Sequence, residues 1–133
     1  MSTRSYIGVV QDDGRIEAVY CHSDGQPNGV GASLLCAHQT PQRAKKLIAL
    51  GSLSGIEGAE VVAYVRDKGE HMDSSNISRV YATVERLVAD AIDMSAEYVY
   101  VFGLDRSRRR WKLVWSANEN VMLQDAFNMV AET

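Results

Sequence analysis

The sequence has few cysteines, few prolines, little excess of either charge and no long hydrophobic run, and each shortage removes a class of protein. Two cysteines, Cys21 and Cys36, in 133 residues are too few for the disulfide lattice of a small secreted domain and read as free thiols in a reducing compartment. Two prolines and ten glycines exclude collagen-like and proline-rich disordered chains. Fourteen Lys+Arg against seventeen Asp+Glu leave a formal charge of −3. That is too balanced for coating nucleic acid through bulk charge, so any such contact is local. No apolar run approaches the ~18 residues that span a bilayer, and the polar first five residues lack the apolar stretch of a signal peptide. A cytosolic protein without membrane contact is expected. What is present, 46% hydrophobic and 23% charged residues, suits a single α+β domain over residues 1–133, since one domain commonly takes ~100–200 residues.

Residues 6–11 and 15–21 are apolar and β-branched on either side of Asp12-Asp13-Gly14. The Asp-Gly pair supplies the positive φ of a tight turn and predicts an opening hairpin. Residues 22–31 hold Gly25, Gly29, Gly31 and Pro27, a structured loop, after which Val30, Leu34 and Leu35 predict a short helix to about His38. Thr40-Pro41 is an N-cap followed by proline at the first helical position, and Gly51 is a stop. Residues 52–60 have turn composition, 60–66 read as a strand and 70–76 as a polar loop. Between 78 and 94, Val80, Val84, Leu87, Val88, Ala91 and Ile92 share one face of a long helix. Tyr98, Tyr100, Phe102 and Leu104, then Trp111, Leu113 and Trp115, alternate as a second hairpin around 105–109. Asn118 caps a last helix to about Val130. The order β-β-α-α-β-α-β-β-α predicts a mainly antiparallel sheet of about five strands with helices packed on one face. The other face is then solvated or paired with a second copy in a homo-oligomer.

Four groupings invite chemistry. Cys21-His22 with Asp24 has the residue types of a nucleophile, base and orienter, the seed of a thiol or metal hydrolase, but adjacent residues on a strand point to opposite faces. A strand end with a small buried thiol explains Cys21 more simply. Cys21, His22, Cys36 and His38 lack the spacing of structural zinc pairs, so no metal or other cofactor is expected. The glycines of 25–31 ahead of a helix resemble an anion nest, the basis of a nucleotide-sponge alternative, without the Gly-x-Gly-x-x-Gly or P-loop pattern. Arg106, Arg108, Arg109 and Arg110 crowd the second hairpin turn, either as a solvated tip or as a contact for an acidic protein, a nucleotide or a nucleic-acid backbone. Trp111 and Trp115 beside them read as core or subunit interface before base-stacking platforms.

The words Tyr6-Ile7-Gly8-Val9-Val10, Asp13-Gly14, Tyr20-Cys21-His22-Ser23-Asp24-Gly25, Pro27, Val30-Gly31 and Leu34-Leu35, continued by residues 46–51 and Ser54, resemble a small uncharacterised family of phage and prophage proteins. In that family an aromatic residue often follows the loop glycine, where this chain has Gln26. The resemblance implies a cytoplasmic accessory protein, working in the host cell and inhibiting or modulating a host protein, a defence system such as CRISPR among the targets, without catalysis. The expected recognition residues are Tyr20, His22, Asp24, Gln26 and Asn28 in the loop region and Arg106, Arg108, Arg109 and Arg110 at the basic tip. The expected partner is a host protein, with nucleotide or nucleic-acid contact through the arginines as the alternative.

Overall fold

Gly14 takes the left-handed backbone, φ 87°, that an Asp-Gly turn requires. It folds β1 (Ser5–Val10) back on β2 (Ile16–Cys21), with Tyr6 opposite Tyr20 and Val10 opposite Ile16. The computed structural model describes residues 3–105, 107 and 109–117. The last helix expected from Asn118 to about Val130, and Arg106 and Arg108 of the basic tip, lie outside the described residues. After β2, one π-helical turn (Pro27–Gly31) leads into α1 (Ala32–Ala37). Helix α2 (Pro41–Ala49) starts as its sequence predicts, the Thr40 hydroxyl accepting from the Arg43 amide at 3.1 Å.

The expected turn at 52–60 is a hairpin instead, β3 (Leu53–Glu57) and β4 (Glu60–Ala63), closed by Gly58 at φ 60°. A register shift between Leu53 and Gly55 explains why period two is invisible there: the inward residues Leu53 and Ile56 fall three apart. Strand β4 stops earlier than expected because the Asp67 carboxylate accepts from the Ala63 amide at 2.8 Å. That contact starts the short helix α3 (Tyr64–Lys68), ended by Gly69 at φ 71°. The long helix expected over 78–94 is divided. Its first part is β5 (Arg79–Tyr81), paired with β2, and only Val84–Asp93 is helical (α4), capped by Thr83. Strands β6 (Tyr98–Phe102) and β7 (Trp111–Ser116) form the expected aromatic hairpin.

Among the described residues the sheet therefore has seven strands and is mixed, in place of about five mainly antiparallel ones. Its order is β4-β3-β2-β1-β6-β7, and β5 shares the edge of β2 with β3. Pairs β2–β3 and β1–β6 are parallel. Parallel neighbours need a crossover, and the chain makes two, through α1 and α2 and through α4. They cover opposite faces, which corrects the expectation of helices on one face. Val30, Leu34, Leu47 and Ile48 pack on Ile7, Val19 and Tyr100. Leu87, Val88 and Ala91 pack on Ile16, Ala18 and Val101. Gly8 permits this second contact, since a Cβ there would come within 2.8 Å of Ile16 and 3.4 Å of Leu87. No helix among the described residues is long and apolar enough to cross a membrane.

Candidate functional site

The two stretches singled out by sequence sit at opposite ends of the sheet. Gly25 donates its amide to the Thr3 carbonyl at 2.9 Å, placing the glycine loop beside the start of β1. The described residues of the tip, 103–105, 107, 109 and 110, lie past Val10 and Phe102 at the other end, about 17 Å away along a six-residue strand. Asp24, Gln26 and Asn28 come together in a groove of about 350 Å³ shared with Cys36 and Gly58. Its backbone donors are already engaged: the Gly29 and Gly31 amides give to the Gln26 carbonyl, and the Val30 amide to that of Asp24. An anion would have to displace these bonds. Arg109 is exposed and faces a hollow of about 160 Å³ beside Asp12 and Lys45. Arg110 is half-buried. Trp111 and Trp115 are core residues, 1% and 6% exposed, and Trp111 donates Nε1–H to the His38 carbonyl at 2.9 Å. Neither indole is offered to a base.

Cys21 and His22 diverge as strand alternation requires. Cys21 is fully buried, and burial pushes its thiol up to about 11. His22 turns to the α4 face, where its Nδ1 and the Tyr20 hydroxyl share a hydrogen bond of 2.6 Å. Among the described residues no group of three or more His, Cys, Asp and Glu is placed to hold a metal ion.

Tyr20 belongs to a cleft of about 370 Å³ on that face. Among the described residues helix α4 packs on Ile16, Ala18 and Val101, and the cleft lies on the same face toward the start of β1. Tyr6, Ala18 and Tyr20 floor it, Tyr6 6% and Ala18 2% exposed, and Tyr64, Asn76 and Met94 contribute to its walls. The rings of Tyr6 and Tyr20 meet edge to face, centroids 5.9 Å apart. Asn76, 7% exposed, donates to the His71 carbonyl at 3.0 Å, and its own carbonyl accepts from the Ser52 amide at 2.7 Å, tying the 70–78 loop to the sheet. Tyr81 lines the cleft as well, and its hydroxyl donates to the Asp90 carboxylate, fixing β5 to α4. Burial raises Tyr6 to about 12 and Tyr20 and Tyr81 above their ordinary range. These phenols are thus neutral near pH 7, and among the described residues the formal charges lining the cleft are Arg4, Arg79 and Glu70. Ile77 and Met94 stand at its rim 51% and 53% exposed.

A hollow of about 440 Å³ between Val9, Lys45 and Ile48 is walled by the acidic β1–β2 turn, where Asp13 is already bonded to Arg15. Among the described residues its lining has no aromatic ring and no arginine, the side chains that the tyrosine cleft gathers. No protein-family model, no curated protein and no solved structure matches this chain. Sequence reasoning named Tyr20 and its hydrogen-bond partner His22 but missed Arg4, Tyr6, Tyr64, Arg79 and Tyr81. Arg4 and Tyr6 were recoverable, because the Asp-Gly turn sets a register in which Tyr6 faces Tyr20. Tyr64, Arg79 and Tyr81 were hidden by the misread elements at 60–66 and 78–94.

Proposed function

We propose that this chain is a non-catalytic binding protein of the phage- or prophage-accessory kind, which inhibits or modulates a host protein by seating part of it in the tyrosine cleft. The observation that carries this is the composition of the cleft. Tyrosine, arginine and methionine, gathered around a partly desolvated depression, are the residues that supply binding energy at protein interfaces. Ile77 and Met94 extend apolar surface beyond the cleft, more than a small ligand confined to it would cover. The resemblance to phage accessory proteins supports the same role by analogy.

The test is capture from bacterial lysate with the wild-type chain, a Tyr20→Ala/Met94→Ala variant and an Arg109→Glu control at the other end of the sheet. A specific protein retained by wild type and control but lost by the cleft variant is expected. Retention by all three, or capture of none, removes the cleft from function. Tyr rings beside arginines also suit a nucleotide. Thermal shift against a nucleotide panel separates that reading, for which a rise in melting temperature abolished by Tyr20→Ala is required.

A further inference from the structure

We infer that the occupant of the cleft is an acidic segment of a partner protein, with carboxylates on both sides of an apolar anchor residue. This rests on the cleft being the binding seat, and adds what that seat selects. Arg4 and Arg79 line it, and among the described residues neither has a carboxylate within ion-pair distance. The Arg79 guanidinium gives one 3.3 Å hydrogen bond to the Ser74 carbonyl and keeps its other donors. Among the described residues Glu70 is the single acidic one of the lining, and it is met by the Asn76 amide at 3.4 Å. The described lining is therefore net positive by one charge, two arginines against one glutamate, on a chain of net −3.

Covering the cleft strips water from both guanidinium groups. An occupant without carboxylates leaves them desolvated and unpaired, a basic one adds repulsion, and an acidic one replaces the lost water with charge-assisted hydrogen bonds. The spacing adds a pattern. Arg79 lies opposite Ala18, and the β1–β2 register, carried one residue past Ser5, puts Arg4 level with His22. The two arginines thus stand about 13 Å apart along the strands and two strand spacings apart across them, roughly 16 Å in all at the backbone, with Tyr20 between them. An extended segment bridging both places its middle side chain over Tyr6 and Tyr20, beside Met94.

A displayed random-peptide library selected on the immobilised full chain tests this. Expected are peptides with Asp or Glu flanking a central apolar residue. Their binding should fall about tenfold or more in the Arg4→Gln/Arg79→Gln variant, weaken with added salt, and be lost in Tyr20→Ala. Both arginines sit at the surface, and circular dichroism checks that the variants fold. Peptides that need Tyr20 but ignore both arginines keep the cleft as the binding seat and overturn the acidic preference. Basic peptides, or no selected peptide at all, overturn it too, and peptides indifferent to Tyr20 as well remove the seat itself.

Discussion

Single residues set the conditions under which the glycine loop and the strand end hold their shape. A Cβ on Gly29 would lie 2.3 Å from the Asp24 carbonyl oxygen, and one on Gly25 2.8 Å from the Ser5 Cβ. Gly29→Ala therefore has to move backbone, and a loss of about 1–3 kcal/mol in urea unfolding is expected. Asp24 already holds a positive φ of 57°, so the loop has little freedom left to absorb the change. Cys21 makes a second prediction. Its buried thiol is raised from 9.0 to about 11, so the folded state favours the protonated form. The stabilisation is complete below pH 9 and is lost as pH rises through about 11. Unfolding free energy followed from pH 8 to 11 should fall, and Cys21→Ala should flatten that fall. At pH 8 a thiol reagent should label exposed Cys36 quickly and reach Cys21 only on unfolding. Rapid labelling of native Cys21 would contradict its burial.

At the scale of elements, the cleft depends on α4 ending where it does. Thr83 accepts from the Arg86 amide at 3.2 Å, and the helix delivers Met94 to the rim one residue past its last turn. Thr83→Ala should cost about 1 kcal/mol, and hydrogen exchange should show faster amide exchange in α4 with little change in α2. The elements that sequence revealed carry local signals: Asp-Gly at the first hairpin, Thr-Pro before α2, alternating aromatics in β6 and β7. Those it hid depend on long-range pairing. Val80 matches a helical face through Val84, yet 79–81 pair with Ile16, Glu17 and Ala18 from sixty residues earlier, a competition that no window of neighbouring residues contains. The bulge in β3 erased alternation in the same way. The candidate site inherits this limit, because Tyr64, Arg79 and Tyr81 arrive on misread segments.

For the whole molecule, the consequence of a mixed sheet is that its two faces differ. Among the described residues, one is covered by α1 and α2, and the other carries α4 with the tyrosine cleft on the same face. The glycine loop and the described residues of the basic tip are separated along the strands, and the cleft is where, among the described residues, tyrosine rings, arginines without an ion pair and exposed apolar side chains coincide. Binding by that cleft is the central claim. It is tested most directly by hydrogen–deuterium exchange on the chain with and without its captured protein partner. Protection of the 75–78 loop, β5 and the end of α4, with the 103–105 segment unchanged, is the expected result. Protection confined to the glycine loop or the tip, with the cleft exchanging as in the free protein, would contradict it.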